Sequence, residues 1–466
     1  MSNLKKIRNI TIVITREDYY RNFFKTDAFV DLERNFNVSY VLSEDLPTEN
    51  SKRKIFYFKR NNSENEKFKF GYRTNLLMYK NRHKSKTFKF RIERFYYPLN
   101  FDFRKIPHFE KLSIQMKIKK ILTYSLKATI NNFNYMKLRV LSQKYIFNKF
   151  SKNFYLVNKI NKSLESALKN SEPDLVILPF GAQELELPQV LHICKNNKIK
   201  FYTITDNWDN LSSKSVFEDK PDFIGVWGEQ SKEHAIEIQN FKENQIFLLG
   251  CPRFDMIYER REKELKNEID FKYVLFLGHR FDWNEEVVIK ILDDEISSKK
   301  ELYQNTKIIY RPHPQRELRL RTIDLKNIII DQDLKKNGTY WPSLNNYFHN
   351  IKNSIFVLGT STTGLLEAIA FYKKYMLLCY HDKKDFFNQG NLLANHTHLQ
   401  NLKQIEAIEF CDNREDISIK FRMLFEENKN NQKFDKLKAN KQRDYFITGD
   451  SINTFSKNVT QSILNL

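Results

Sequence analysis

The sequence predicts an α/β protein of two Rossmann-like domains facing a cleft, with a basic helical insertion in the first domain. Three observations carry this. Short, continuously apolar runs alternate with helix-like stretches in two series, one on each side of a charged segment at 256–270. Such runs are the strands of parallel sheets covered on both faces. The chain has 466 residues, enough for about two or three domains with large cores. Finally, several strand ends of the second series carry polar residues, and ligands of such sheets bind beyond the carboxyl ends of the strands.

The first series predicts strands over 9–15, 38–42, 54–58, 174–179, 200–205, 222–227 and 245–249. A long helical pattern from about 109 to 168 interrupts it. The charged segment 256–270 is the expected hinge. The second series predicts strands over 273–277, 307–310, 327–330, 354–358 and 375–379. The expected domains are 1–256 for an acceptor (insertion about 60–170) and 257–440 for a nucleotide, with a C-terminal helix at 441–466 packing back on the first domain. Cys194, Cys251, Cys379 and Cys411 stand far apart without a CxxC pair, as thiols of a reducing compartment do. The apolar run 10–14 is too short for a signal-peptide core, and no run approaches the roughly 18 residues of a spanning helix. A soluble cytoplasmic protein, peripheral at the inner membrane, is expected.

The net charge of +21 is unevenly placed: residues 51–164 hold 29 Lys and Arg against 5 Asp and Glu. From Lys111 to Leu164 there are 12 basic residues and no acidic one, with Tyr, Phe, Ile and Leu interleaved. Three readings fit: a Lys-rich solvated helix face, attachment to anionic lipid headgroups, or phosphate-backbone binding. No helix-turn-helix, zinc-finger or RNA-recognition signature accompanies the charge, so no specific nucleic-acid partner is expected.

The strand ends carry the candidate chemistry. Gly278-His279-Arg280, followed by Asp282-Trp283, allows a tight turn with Arg280 toward a phosphate. Arg311-Pro312-His313-Pro314 holds an imidazole between two prolines, which fix φ and remove donors. There His313 can donate to a phosphate or nucleotide hydroxyl, and Arg311 can donate in bidentate fashion. Gly359-Thr360-Ser361-Thr362-Thr363-Gly364 leads into a helix, so free backbone N–H groups, the helix dipole and several hydroxyls converge. An ordinary N-cap needs only one hydroxyl. Glu367, one turn later, accepts ribose hydroxyls or caps the helix. His381-Asp382 follows a further strand. Asp331-Gln332-Asp333 superficially matches a metal-binding DxD but reads as a loop, and no metal or other cofactor is expected.

In the first domain, Asp206, Asn207, Trp208, Asp209, Asn210, Ser213 and Lys214 crowd the segment after 200–205. A carboxylate there, Asp209 or Asp206, can act as general base on an acceptor hydroxyl, with Asn207, Trp208, Asn210, Ser213 and Lys214 on the acceptor side. Turn and cap roles are the plainer alternative. Pro179-Phe180-Gly181-Ala182-Gln183-Glu184 ends a neighbouring strand.

RPHP after a strand, then GTSTTGLLEA, resembles the HP and Ser/Thr motifs of GT-B glycosyltransferases that use CMP-activated sugars, and of the related CDP-glycerol glycerophosphotransferases. WDNLSSK, VWGEQSKEHA and LLGCPRFD resemble bacterial surface-carbohydrate biosynthesis proteins of the same group; the similarity covers about 172–380. It implies a GT-B fold, donor phosphate or nucleotide contacted by His313, and phosphate oxygens held by Ser361, Thr362 and Thr363. One departure is Ser215, where the related motif usually continues with glycine. The expected activity is transfer of a sugar, from a donor that is CMP-linked by preference (CDP or UDP possible), to a surface polysaccharide or lipid-linked glycan. The catalytic residues would be Asp209, Asp206 and His313. Competing readings are a CDP-polyol phosphotransferase, an epimerase of the same fold, and a nonenzymatic polyanion-binding protein.

Overall fold

The computed structural model describes residues 7–47, 51–61, 63–96, 112–143, 145–147, 149, 160–182, 184–263, 269–279, 285–313, 325–331, 344–380, 389–429 and 435–466. They fall into two compact units, one within 1–226 and 231–247, the other within 227–230 and 248–466.

The first unit is built on a seven-stranded sheet. Its strands are β1 (Asn9–Ile14), β2 (Asn37–Ser43), β3 (Lys54–Phe58), β4 (Leu175–Phe180), β5 (Lys200–Thr205), β6 (Phe223–Val226) and β7 (Ile246–Leu248), in the order β3-β2-β1-β4-β5-β6-β7. The pairings of β1 through β6 are parallel. All six residues of β4 are buried, as a central strand covered on both faces requires.

The insertion follows β3 as helices α1 (Glu64–Lys80), α2 (Lys86–Tyr96) and α3 (Ile114–Leu141). Ser63 and Ser113 cap α1 and α3 by accepting from the Glu66 and Met116 N–H groups. In the insertion, Leu77, Phe88, Ile92, Leu138 and Phe147 pack into a cluster that also takes in Ile238 of the same unit. Within the helical pattern expected over about 109–168, α3 ends at Leu141 and α4 (Lys162–Asn170) starts anew under an Asn161 cap. Leu164 and Leu168 of α4, with Val190 and Ile193 of α5 (Leu187–Asn196), cover Val13, Val176 and Leu178 of the sheet.

The second unit holds β8 (Tyr273–Leu277), β9 (Lys307–Arg311), β10 (Ile328–Ile330), β11 (Val357–Gly359), β12 (Tyr375–Leu378) and β13 (Ile408–Cys411). Their order is β10-β9-β8-β11-β12-β13, all parallel. Helices α6 (Pro252–Glu262), α7 (Glu285–Ser298), α8 (Leu344–Asn353), α9 (Thr363–Ala370), α10 (Ile417–Lys429) and α11 (Phe455–Leu464) accompany it. The charged stretch expected as a hinge opens inside α6, whose Phe254, Ile257 and Tyr258 are buried. The C-terminal segment falls within the second unit, where α11 packs on α6. Strand β13 was absent from the expected series. Its Glu409 breaks the apolar run, and the Lys420 ammonium neutralises that carboxylate at 2.5 Å. All four cysteines are free and buried.

The α6–α11 junction carries a titration. The Phe455 N–H donates to Asp255 Oδ2 at 2.8 Å. Burial pushes the Asp255 carboxyl up to about 8, and the Phe455 N–H only partly opposes this. Unfolded, the group titrates near 4. Between about pH 4 and pH 8 the folded chain keeps a proton that the unfolded chain has lost, so stability falls as pH rises through that window. Asp255→Asn keeps an acceptor for Phe455 and removes this contribution. Urea midpoints at pH 5 and pH 8 should therefore lie closer together in the variant than in the native chain.

Candidate functional site

In both sheets the first strand lies inside, and the chain adds strands on one side before crossing to the other. The crossing points lie between β1 and β4 and between β8 and β11. At such a point the connections leave in opposite directions, opening a crevice at the carboxyl ends.

In the second unit the ends of β9, β8 and β11 are neighbours. Gly278 follows β8, and its N–H donates to the Arg311 carbonyl at 2.8 Å. A Cβ on Gly278 would lie 3.0 Å from the His313 nitrogen, so only glycine lets the two loops touch without displacement. His279 is buried, and its N–H donates to Glu285 Oε1 at 2.6 Å; the Tyr310 hydroxyl donates to Glu285 Oε2 at 2.6 Å. Glu285 thus ties the ends of β8 and β9 together. His313 is half-buried on the adjoining loop.

Gly359 ends β11, where a Cβ would collide with the Tyr375 hydroxyl and the Leu277 carbonyl. The Tyr375 hydroxyl donates to the Thr360 carbonyl at 2.9 Å, and the Thr362 N–H donates to the same carbonyl at 2.8 Å. Thr362 is the N-cap of α9, but its side chain makes no capping bond. Thr360 Oγ1 and Ser361 Oγ are buried without a hydrogen-bond partner. Hence Gly359, Thr360, Ser361, Thr362 and Thr363 sit one strand over from His279 and two from His313.

Arg311 and Glu367 are held differently from the sequence expectation. Arg311 Nη1 meets Asp331 Oδ2 at 2.5 Å, and its guanidinium lies 4.9 Å from the centre of the Tyr347 ring. The Tyr347 hydroxyl donates to Glu367 Oε2 at 2.6 Å, and Arg253 pairs with Glu367 Oε1. Burial, then the Glu367 charge and hydrogen bond, keep the Tyr347 phenol well above its usual range, against Arg253 and Arg311. Arg311 and Glu367 therefore brace the site from beneath. Arg280, Asp282, Trp283, Pro314, Gln332, Asp333, His381, Asp382 and Gln183 lie outside the described residues.

In the first unit, Asp206 follows β5, and its Oδ1 accepts from Asn22 Nδ2 at 3.3 Å. Asn210 is fully buried and donates to the Phe180 carbonyl at 2.9 Å. Trp208 is buried, and the Asn207 side chain caps the Trp208 N–H at 3.0 Å. Asp209 accepts from Lys214 Nζ at 2.9 Å and from Ser213 Oγ at 3.0 Å. Burial lowers His234 to about 4 although the nearby Asp209 charge raises it, so the ring is neutral.

Sequence reasoning named Glu184 only as part of a strand end and missed Thr15, Arg16, Tyr19 and Glu186 at the crossing point itself. Thr15 after β1 donates to Glu184 Oε2 at 3.0 Å. Arg16 donates to the Ala182 carbonyl at 2.7 Å and pairs with Asp18 at 2.9 Å. Glu186, two residues after Glu184, holds Arg60 at 2.9 Å. Burial, and then the Glu186 carboxylate, push the Glu184 carboxyl well above its usual range; Arg16 and Arg60 oppose this. Burial, then Glu184 and Asp206, raise the Tyr19 phenol likewise. Its hydroxyl is buried without a hydrogen-bond partner beside Gly181. Glu184, Gly181 and Lys214 line a pocket of about 120 Å³ whose apolar wall includes Phe70, Leu77 and Leu187. The available signal was position: residues just past β1 and β4 in a sheet whose order reverses between them. Among the described residues, no group of three His, Cys, Asp or Glu is placed to hold a metal ion.

The Arg311–Asp331 pair has a direct test. Both side chains are nearly buried, at 5% and 9% exposure. Removing one partner of such a pair strands the other, at about 3 kcal/mol. Arg311→Ala should lower the urea-unfolding free energy by that order, and Asp331→Asn by less, since it leaves an acceptor for the guanidinium.

No family model and no curated protein matches the chain. Among solved structures it is similar to the UDP-GlcNAc 2-epimerase of Methanocaldococcus jannaschii, with a TM-score of 0.49 at 13% identity over 98% of this chain and 99% of that one. It is similar to the UDP-GlcNAc 2-epimerase of Neisseria meningitidis, with a TM-score of 0.49 at 11% identity over 98% and 100%. The wall teichoic acid polymerase TagF gives 0.37 at 11% identity over 62% and 81%. Likenesses of this order assign neither an activity nor a substrate.

Proposed function

We propose that the protein transfers a sugar from a nucleotide-activated donor, CMP-linked by preference, to a growing surface glycan or lipid-linked acceptor. One observation supports this most. Thr360 Oγ1 and Ser361 Oγ are buried without a hydrogen-bond partner at the head of α9, in line with the strand ends that carry His279 and His313. A buried polar atom left unpaired costs about 1–3 kcal/mol. A phosphate oxygen would accept from both hydroxyls and from the helix N-terminus. An imidazole donor from His313 completes the grip, so departure of the nucleoside phosphate needs no obligatory divalent ion. Arg311 and Glu367 stiffen this cradle.

The first unit takes the acceptor. Asp209 is occupied by Lys214 and Ser213, which makes it a loop brace. Glu184 lines the pocket, and burial with the Glu186 carboxylate raises its affinity for a proton above that of an ordinary carboxylate. We assign it the role of general base, with Asp206, whose charge like that of Glu184 acts on the Tyr19 phenol, adding to the local negative charge. The basic block 51–164 brings the enzyme to the anionic inner membrane surface, where lipid-linked acceptors are made.

Thermal melting with CMP, CDP, UDP and GDP tests the donor grip. The midpoint should rise with a pyrimidine nucleotide, and His313→Ala or Ser361→Ala should weaken that response about tenfold, with the unliganded midpoint intact in His313→Ala and raised in Ser361→Ala, which removes an unpaired buried hydroxyl. Response to CDP alone, with phosphorus in the product linkage, would move the reading to polyol-phosphate transfer. No pyrimidine response would overturn it. EDTA should leave turnover unchanged. Glu184→Gln should reduce turnover by roughly 100-fold or more, and Asp209→Asn far less. Because a base must be unprotonated, the native rate should fall on the acid side, beginning above the ordinary carboxylate range.

A further inference from the structure

Among the described residues, the outer face of helix α3 is apolar and exposed. Ile118, Leu122, Leu126, Ile130, Phe133 and Met136 advance by steps of four, then three, and each is between 51% and 70% exposed. At about 100° per residue these positions form one continuous stripe. It is not the side by which the helix joins its unit. Leu138 is fully buried in the insertion core and Tyr135 packs edge-on against Tyr79 at 5.6 Å; both fall on roughly the opposite side. Scattered exposed apolar residues are ordinary, but a stripe along a whole helix marks something that covers it.

The charges say what that cover is. The helix carries Lys117, Lys119, Lys120, Lys127, Lys137 and Arg139, and no Asp or Glu. A second copy packed along the stripe would set lysines against lysines with no carboxylate on the helix to pair them. No described helix is long and apolar enough to cross a membrane. An apolar stripe on a helix about 42 Å long, with Lys119 and Lys137 within the stripe's sector and the other four cations around the rest of the helix, matches the surface of an anionic bilayer, with the stripe among the acyl chains and the long lysine stems carrying their charges up to the headgroups. We infer that α3 lies in the plane of an anionic membrane and inserts this stripe. The inference rests on the membrane reading of residues 51–164 and narrows it to one helix face and to hydrophobic insertion in addition to charge.

The full chain is mixed with vesicles of phosphatidylcholine alone or with about one third phosphatidylglycerol, and co-sedimentation is measured. Native protein should bind the mixed vesicles and not the neutral ones. Leu122→Ser, Leu126→Ser and Phe133→Ser together should weaken binding at least about tenfold. Their side chains are exposed, so the melting midpoint and nucleotide response should not move. Phe133→Trp should shift its emission to the blue on the mixed vesicles only. Serine-variant binding equal to native would mean that charge alone attaches the block, overturning the insertion while sparing the broader membrane reading. No native binding to mixed vesicles would overturn both. A dimer in sedimentation equilibrium that the serine changes dissolve would assign the stripe to a second copy and overturn the inference. The nucleotide response judges the transferase reading independently in every case.

Discussion

Each unit is governed by where its first strand is laid. A parallel strand can be added only after the chain crosses back over the sheet, and that crossover is right-handed. Building outward from β1 and β8 on one side, then on the other, forces the connections apart at a single place. The residues just past the strands at that place are brought together around the gap. Thr15 and Glu184 meet this way in the first unit, and His279 and the Gly359–Thr363 turn line the corresponding edge in the second. Site chemistry therefore follows from strand order before any side chain is chosen.

Holding such an edge rigid requires bracing from below, and the second unit does this with buried charge. Asp331, Arg311, Tyr347, Glu367 and Arg253 form one chain of contacts joining β10, β9, α8, α9 and α6. Buried ion pairs return little net stability because desolvation offsets their attraction. Their value here is geometric. They fix the root of the His313 loop and the first turn of α9 relative to each other. The first unit uses Arg60–Glu186 and Lys214–Asp209 in the same manner, and Glu184, next to Glu186, is the carboxyl whose proton affinity rises.

Strands such as β4 and β8 were legible because continuous apolar runs have few other uses. β13 was not: Glu409 interrupts it, and Lys420, which makes that charge tolerable, lies on a later helix. The Thr360–Thr363 turn was legible because its hydroxyls exceed what a cap needs. Arg311 looked like a phosphate ligand because a sequence displays a cation without its partner; Asp331 reaches it only once β9 and β10 pair. Glu367 was open to two roles for the same reason. Thr15, Arg16, Tyr19 and Glu184 stayed unread as a group because β1 and β4 are separated by the whole insertion in sequence and are adjacent only in the sheet. The apolar face of α3 was visible as interleaving, but which side the fold would bury was not.

Amide hydrogen exchange with and without a saturating pyrimidine nucleotide locates the donor grip directly. Protection should rise together at 278–279, 313 and 359–363, on three neighbouring strand ends, and stay unchanged in α3. Protection confined to the cationic helices of 51–164, or absent from the 359–363 turn, would contradict a nucleotide-phosphate cradle on the second unit.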